Sequence, residues 1–288
     1  MPELPEVETV AAGVHAKVAG DVIQSVWFSS QREPFKTPAT EMETVLAGRR
    51  ILRVHRIGKH IVCDLGSGKG RGSAHAHVEA QWIVHLGMTG RLLACSPDDP
   101  VAPHTHAVLE LASGRELRFV DPRRFGRLSL HPIKSVKGEE GGASSGFHGT
   151  GQEPLSISPE AFASLFHSRR TPIKAALLNQ KLLQGVGNIY ADESLFHAAI
   201  RPRRLACRLT RAELGRLHSS LVKVLREAIA QGGSSVSDYV DANGARGFFQ
   251  LQHHVYLRTG KPCFVCGTPI RRILIGGRGT HYCPACQS

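Results

Sequence analysis

Residues 263–286, CFVCGTPIRRILIGGRGTHYCPAC, decide the fold of the last part of this chain. Cys263 and Cys266 form one Cys-x2-Cys pair, Cys283 and Cys286 form a second, and sixteen residues separate the pairs. Two thiolate pairs on tight turns can close a tetrahedron around Zn²⁺, and four protein ligands leave no open coordination position. The spacing predicts one structural zinc ion in a small ribbon, and four free thiols are the less favoured alternative.

The predicted ribbon is basic outside its metal site. Four thiolates and one Zn²⁺ sum to a net charge of about −2. The surrounding positive charge comes from Lys261, Arg271, Arg272 and Arg278. A small ribbon with this charge is typical of nucleic-acid binding.

The whole chain has the same charge bias. Its 288 residues include 36 Lys and Arg against 24 Asp and Glu, a net charge of +12, and 41% hydrophobic residues exclude general disorder. This favours a polyanionic partner, although a basic inert surface or a membrane surface remains open. No apolar run is long enough to span a bilayer, and no secretory signal precedes the first helix, so we expect a cytoplasmic protein.

The first half predicts a β-sandwich with one leading helix. Apolar residues from Val7 to Val18 recur at helical spacing, and Gly20 can end that helix. Short β-rich runs follow, separated by Gly, Ser and Asp. They cover residues 22–28, 60–65, 81–86, 106–111 and 115–120. The last two runs predict a hairpin, and the residues up to 133 form the predicted first domain.

The second half changes to helical periodicity after a glycine-rich hinge at 134–153. Ser158 is a predicted helix N-cap, and Thr210 is another, with Glu213 completing a capping box. A further helix is predicted over 172–183, and Asn188 is a candidate cap for the next. The complete expectation is an α+β chain. Its predicted parts are an N-terminal β-sandwich catalytic domain (1–133), the hinge (134–153), a helical domain (154–250) and the zinc ribbon (251–288).

The N-terminus is a candidate nucleophile. Met1 precedes a small residue, so its removal would expose the secondary amine of Pro2, which is less basic than a lysine and can form a Schiff base. Glu3 lies beside it as a possible acid–base group. The alternative, an ordinary exposed terminus, is the one that chemistry alone favours.

Three short loops carry further candidates. Gly58 permits a tight turn that would project Lys59, and residues 121–126, DPRRFG, place two guanidinium groups beside an aromatic ring. Residues 85–90, HLGMTG, could present a methionine between two glycines. The ordinary alternatives are a solvated hairpin lysine, a surface turn with a buried ring, and a core methionine.

Taken together, these motifs resemble the formamidopyrimidine-DNA glycosylase family over nearly the whole chain. They occur in the family's order as PELPEVET (2–9), GKH (58–60), HLGMTG (85–90), DPRRFG (121–126), GVGNIYADESLF (185–196) and the four-cysteine ribbon. Each motif alone is moderately specific, whereas the ordered set is highly specific.

The resemblance implies a bifunctional base-excision repair enzyme. It would excise oxidised purines, chiefly 8-oxoguanine and formamidopyrimidines, and then cut the strand by β,δ-elimination. Pro2 would attack C1′ and Glu3 would move protons during ring opening. Lys59 would donate a proton in β-elimination, and Arg278 would grip the phosphates and serve the δ step.

The resemblance also implies a helix–two-turn–helix domain and a set of DNA-contacting residues. These are Met88, His104, Arg123, Phe125, Arg169, Lys174 and Asn188. Met88, Arg123 and Phe125 would fill the void left by an everted nucleotide. The implied partner is double-stranded DNA containing oxidised bases or abasic sites, bound by a monomer at the nucleoid and not at a membrane.

Two other functions remain open at this level. The related endonuclease VIII branch prefers oxidised pyrimidines, but Leu4 and the three void-filling residues favour the purine branch. A non-catalytic lesion-binding protein would not need Pro2, Glu3 and Lys59, which are all present. The insertion at 66–80 and the long hinge depart from the family pattern without removing a motif residue.

Overall fold

A computed structural model describes residues 1–31, 34–68, 77–133, 146–235 and 239–288. Most of the 66–80 insertion and of the 134–153 hinge lies outside these residues. The chain forms two compact units. The first contains Met1–Pro2, Glu6–His148 and Ser235–Gly247, and the second contains Glu3–Pro5, Gly149–Ser234 and Phe248–Ser288.

The first unit confirms the predicted β-sandwich. Its helices are α1 (Leu4–Val18), which belongs to this unit from Glu6 onward, and α2 (Ala39–Leu46). Its strands are β1 (Ile23–Phe28), β2 (Arg49–Ile57), β3 (His60–Ser67), β4 (Ala80–His85), β5 (Arg91–Cys95), β6 (Thr105–Leu111), β7 (Glu116–Val120) and β8 (Arg127–Pro132). They form two four-stranded antiparallel sheets, ordered β2-β3-β4-β8 and β1-β6-β7-β5.

Both sheets contribute to one hydrophobic core. Trp82 of β4 and Phe119 of β7 are almost fully buried in it. The predicted valine stripe of α1, from Val7 to Val18, lies in the same core. In β3 and β4 consecutive residues are buried, so these two strands are covered on both faces.

The second unit is helical and ends in a two-stranded ribbon. Its helices are α3 (Pro159–Phe166), α4 (Ile173–Leu177), α5 (Asn188–His197) and α6 (Arg211–Ala230), and its strands are β9 (Arg271–Ile275) and β10 (Arg278–Tyr282). Ser158 caps α3, and Thr210 forms a reciprocal capping box with Glu213 on α6, as predicted. Among the described residues, no helix has the length and apolar character needed to cross a membrane.

Two local predictions in this unit are wrong. The helix predicted over 172–183 ends at Leu177, because Asn179 closes a turn: its carbonyl accepts from Leu182 N, and its side chain accepts from Lys181 N. Asn188 is not the N-cap of α5, a position that Gly187 holds. The Asn188 side chain instead donates to the Gly279 carbonyl at 3.0 Å.

The ribbon turn has a defined geometry. Arg278 pairs with Ile275, which leaves Gly276 and Gly277 as a two-residue turn with φ of 56° and 72°. Two positive φ angles are typical of a type I′ hairpin turn, where glycine is favoured. The turn places Arg278 at the first position of β10, where it is exposed.

Candidate functional site

The Glu3 carboxylate lies at the N-terminus of α5. Its Oε1 accepts from Ile189 N at 3.0 Å and its Oε2 accepts from Tyr190 N at 3.4 Å. These amides are among those that a helix start leaves without intrahelical partners, and the helix dipole favours a negative charge there. Leu4 N also donates to Gly185 O at 3.0 Å, so Glu3 is fixed by backbone and side chain together.

Gly187 makes room for this carboxylate. A Cβ atom at Gly187 would lie 2.2 Å from Cδ of Glu3 and 2.5 Å from its Oε1. The backbone of Gly187, with φ −131° and ψ −163°, is one that any residue adopts, so the requirement for glycine comes from space alone. The second glycine of the GVGN motif, Gly187, therefore leaves the space that the Glu3 side chain occupies.

Lys174 is a buried positive charge below the ribbon. Its side chain is fully buried, its Nζ lies 2.6 Å from Asp192 Oδ1, and it donates to Gly279 O at 3.0 Å. Burial lowers the pKa of Lys174, and the Asp192 carboxylate opposes that effect. Because Asn188 donates to the same carbonyl, two side chains fix the residue that follows Arg278.

Sequence reasoning missed the two adjacent acids of α5, Asp192 and Glu193. Asp192 Oδ2 accepts from His281 N at 2.9 Å, which joins α5 to β10. Glu193 accepts three backbone N–H groups, those of residues 254, 255 and 256, at 2.8–3.0 Å. Burial raises the pKa of Glu193, and these amides oppose it. Two acids inside an otherwise apolar helical motif were the available signal.

The four cysteines form the predicted cluster. Cys263 Sγ lies 3.9 Å from Cys286 Sγ, Cys266 Sγ lies 3.4 Å from Cys283 Sγ, and all four sulfurs lie within 4.8 Å of one another. Tetrahedral zinc with Zn–S bonds of about 2.3 Å requires sulfur separations of about 3.8 Å. The donor set and its spacing therefore fit a zinc ion.

The second Cys-x2-Cys turn of this cluster is bonded to residues 200–201, just after α5. Gln287 Oε1 accepts from Cys283 N, and Gln287 Nε2 donates to Ile200 O, each at 2.8 Å. Arg201 donates to Pro284 O at 2.9 Å. The metal cluster, the ribbon strands and α5 are thus connected through both backbone and side-chain bonds.

Lys59 lies on the two-residue turn between β2 and β3. Ile57 pairs with His60, and Gly58 has φ of 59°, so the predicted tight turn is present. Arg56 holds the turn to α1, since it pairs with Glu8 at 2.7 Å and donates to Gly58 O at 3.2 Å. Lys59 itself is half-buried.

Two imidazoles lie next to this turn. The rings of His60 and His85 have centroids 5.0 Å apart on paired positions of β3 and β4. Burial, with smaller contributions from the neighbouring His60, Arg127 and Lys59, lowers the pKa of His85 to about 4. Both rings are therefore neutral near pH 7, because burial lowers the pKa of His60 as well.

The loops 85–90 and 121–126 form one packed pair. Asp121 is fully buried and accepts from Thr89 Oγ1 at 2.5 Å and from Gly126 N at 2.7 Å. Gly87 has φ of 63°, and a Cβ there would lie 2.5 Å from Gly126 N. The glycines permit this close backbone packing, and Asp121 connects the two loops.

This loop pair exposes the predicted void-filling side chains. Met88 is 40% exposed and Phe125 is 52% exposed. The Arg123 guanidinium lies 4.8 Å from the centroid of the Phe125 ring. His104, with φ of 65°, accepts from Asp121 N through its carbonyl, so it belongs to the same loop region.

The remaining predicted residues lie elsewhere. Arg169 follows α3, is exposed, and donates to Leu165 O at 2.7 Å. Pro2 is buried and belongs to the first unit. Within the second unit, the structure brings together Glu3, Lys174, Asn188 and the strand that carries Arg278.

Comparison with known proteins assigns three segments of the chain. Residues 1–128 match the formamidopyrimidine-DNA glycosylase N-terminal domain, and residues 150–240 match the formamidopyrimidine-DNA glycosylase H2TH domain. Residues 260–288 match the zinc finger found in FPG and IleRS. Together these families cover most of the sequence.

Individual relatives match along their full length. Formamidopyrimidine-DNA glycosylase of Solibacter usitatus is 44% identical over 290 residues, which covers 100% of this chain and 99% of the relative. The crystal structure of MutM (Fpg) from Thermus thermophilus matches with a TM-score of 0.80 and 39% identity, over 99% of this chain and 98% of that one. A Lactococcus lactis Fpg variant in complex with Fapy-dG-containing DNA matches with a TM-score of 0.83 and 30% identity over 100% of both chains. The chain therefore belongs to the formamidopyrimidine-DNA glycosylase family, a family of zinc-finger enzymes that repair oxidised bases in DNA.

Proposed function

We propose that this enzyme removes oxidised purines, namely 8-oxoguanine and formamidopyrimidines, through a Schiff base on Pro2 and then nicks the strand by β,δ-elimination. The observation that supports this best is the immobilised carboxylate of Glu3, one residue after the proposed nucleophile and bonded to two α5 amides. A carboxylate held in one place is what proton transfer at a sugar requires.

The target base must first leave the helix, because stacking hides C1′ inside duplex DNA. Eversion costs a few kcal/mol, and inserted side chains offset part of that cost. The exposed Met88 and Phe125 are suited to fill the vacated space. Arg123, stacked on Phe125, is suited to face the orphaned base. Asp121 accepts hydrogen bonds from both loops, so the backbone that carries these side chains is held in place.

The proposed covalent step uses the amine freed by loss of Met1. The Pro2 nitrogen attacks C1′ and the bond from C1′ to the damaged base breaks, so that the base departs with the bonding electron pair. Opening of the sugar ring then gives an iminium ion between Pro2 and C1′. The Glu3 carboxylate takes the proton that the Pro2 nitrogen loses on attack and returns it to the ring oxygen as the sugar opens, while the departing base takes its proton from water.

Elimination then breaks the two phosphate bonds. Loss of a C2′ proton expels the 3′ phosphate, and we assign Lys59 to proton transfer in this β step. The exposed Arg278 would hold the flanking phosphates and serve the δ step, which expels the 5′ phosphate. Its strand is held by Asn188 and Lys174 through the Gly279 carbonyl.

Lys174 has a different proposed role from the direct DNA contact that the family resemblance implied. It is fully buried and paired with Asp192, so we assign it to positioning the Arg278 strand. Asn188 keeps its proposed contact to the DNA backbone. The exposed His104 and Arg169 remain candidates for direct phosphate contacts.

The same proposal includes the wider organisation. One zinc ion held by the four cysteines would stabilise the ribbon and take no chemical part, since four protein ligands leave no place for water. The segments 1–133, 134–153, 154–250 and 251–288 would act as catalytic domain, hinge, DNA-binding domain and zinc finger. The substrate would be oxidised or abasic duplex DNA, bound by a monomer at the nucleoid.

Borohydride trapping tests the proposed nucleophile. Enzyme mixed with an 8-oxoguanine duplex and borohydride should give a covalent protein–DNA adduct, because borohydride reduces the iminium ion. The adduct should disappear in Pro2→Gly and in protein whose N-terminus is blocked. Pro97→Gly, in an exposed turn, is the matched control and should trap normally. Equal trapping by the protein with a blocked N-terminus would show that another residue is the nucleophile.

A second assay tests substrate class. The rates of cleavage should be higher on 8-oxoguanine duplexes than on thymine glycol duplexes of the same sequence. The reason is that Met88, Arg123 and Phe125 are present and exposed on the loop pair. A preference for thymine glycol would assign this chain to an oxidised-pyrimidine activity instead.

A further inference from the structure

Three potential metal ligands that do not belong to the zinc ribbon meet at the end of α5. They are Glu193 and His197, four residues apart on the helix, and His254 from the segment that leads into the ribbon. One ligand atom of each lies within 4.8 Å of the other two. Residues four apart lie on the same face of a helix, so Glu193 and His197 present their side chains in one direction.

The donor atoms are available. Glu193 Oε2 lies 3.8 Å from His254 Nδ1, and that nitrogen is buried without a well-formed hydrogen bond among the described residues. A buried nitrogen that lacks a partner is costly unless something else occupies it. A carboxylate offers about four acceptor positions, and backbone amides fill three at Glu193. A position remains for a cation.

The local electrostatics fit a cation held by neutral imidazoles. Burial lowers the pKa of His197 to about 4, and it also lowers the pKa of His254, against a smaller opposing effect of the Gln252 backbone. Around them, Lys223 and Arg258 are positive and Glu227 is negative. Glu193 is the buried anion of the group, with 1% of its side chain exposed.

We propose that Glu193, His197 and His254 form a second metal site, which binds a divalent transition ion of the zinc type and braces the segment before the ribbon against α5. Two imidazoles and one carboxylate are a donor set that zinc uses, with solvent in the fourth position. Tetrahedral binding needs donor separations of about 3.4 Å. Because His197 is exposed, rotation of its side chain can close the remaining distance.

Such a site would differ from the four-cysteine site in affinity and in purpose. Nitrogen and oxygen donors with one open position bind zinc less tightly than four thiolates, so a chelator should remove this ion first. The ion would stabilise the position of the segment 253–260, because His254 in that segment is its one ligand from outside α5. This assignment does not depend on the proposed DNA chemistry.

The test is a metal count on the full-length protein after removal of any affinity tag. Protein equilibrated with excess Zn²⁺ and desalted should contain about two zinc ions per chain by mass spectrometry of the metal. His197→Ala and His254→Ala should each contain about one. His167→Ala, an exposed histidine outside the cluster, is the matched control and should retain two. One ion in the wild-type protein, or two in both cluster variants, would overturn the proposal.

Cobalt spectra show which site a variant has lost. With Co²⁺ in place of zinc, thiolate-to-metal charge transfer arises only at the cysteines. The cluster variants should keep these bands and lose a weaker component without sulfur character. Loss of the charge-transfer bands in both variants would show that the histidine changes had emptied the four-cysteine site. That result would refute the new site. The second zinc equivalent should also raise the Tm of the wild-type protein and not that of His254→Ala.

Discussion

Replacing Gly187 with alanine should displace Glu3 without disturbing the rest of the second unit. The added Cβ would lie 2.2 Å from Cδ of Glu3, far inside van der Waals contact. The backbone angles at this position suit alanine, and the atom in the way is the end of a flexible side chain. The carboxylate therefore moves and the helix stays, at a small cost because alanine is a poorer N-cap than glycine.

The size of the effect follows from the geometry. Opening the contact from 2.2 Å to the 3.4 Å of ordinary contact moves Cδ by about 1.2 Å and breaks the bonds to Ile189 N and Tyr190 N. A misplacement of about 1 Å at a reacting group costs on the order of 100-fold in rate, which corresponds to about 2.7 kcal/mol of transition-state stabilisation. We expect a loss of that size in the cleavage of 8-oxoguanine DNA.

Single-turnover cleavage separates this loss from a folding defect. Gly215→Ala is the matched control, because the same substitution in α6 meets nothing within 4 Å and suits the helix. Both variants should bind an abasic-analogue duplex with wild-type affinity and should melt near the wild-type Tm. Only Gly187→Ala should cleave slowly.

Full activity of Gly187→Ala would refute the reasoning, since Glu3 would then act from a place other than the one observed. A large drop in the Tm of Gly187→Ala would also refute the reasoning. It would show that the backbone of α5, and not the Glu3 side chain, moves to relieve the clash. Equal losses of activity in both glycine variants would show that the effect does not come from the contact with Glu3.

Three further predictions concern the second unit. Asp192→Ala leaves the Lys174 ammonium buried without its counterion and His281 N without its acceptor, and should lower the free energy of unfolding in urea by about 3–5 kcal/mol. Adding Lys174→Met should restore only part of that loss, because it removes the unpaired charge but not the unpaired His281 N–H. A cost below about 1 kcal/mol would contradict this. Cys283→Ser should release zinc and lower DNA affinity, measured by fluorescence anisotropy, while the β-sandwich remains folded; full lesion cleavage without zinc would be the contrary result. The Arg204 guanidinium lowers the pKa of Glu213 from its ordinary value of 4.5 to about 2. The stability from this pair is therefore fully present above about pH 4.5 and is lost as the pH falls towards about 2. Because the pair is partly solvated, urea titrations should show a loss of about 1 kcal/mol over that range, and Glu213→Gln should remove it.

Elements with local signals were predictable. The capping box of Thr210 and Glu213, the Ser158 cap and the valine stripe of α1 depend on residues within one or two turns of each other. The hairpin of β6 and β7 similarly follows from two β-rich runs around one turn. The fold class was therefore within reach of the sequence.

Elements that depend on distant partners were not predictable from local pattern. Strands β5 and β8 were not singled out, since they are completed by pairing with β7 and β4, which are not their neighbours along the chain. The N-terminus of α5 looked like an asparagine cap, but Glu3, 186 residues away, caps it instead. Asn188 was then available to hold the ribbon strand.

By itself, the sequence determined the metal-binding cysteines, the order of the family motifs and the residue types available for the chemistry, because these depend on spacing along the chain. Only the tertiary structure decided that Lys174 is buried against Asp192, that Gly187 makes room for Glu3, and that Glu193 and His197 meet His254. Burial, steric exclusion and ligand geometry depend on distances between residues far apart in sequence, and folding alone sets those distances.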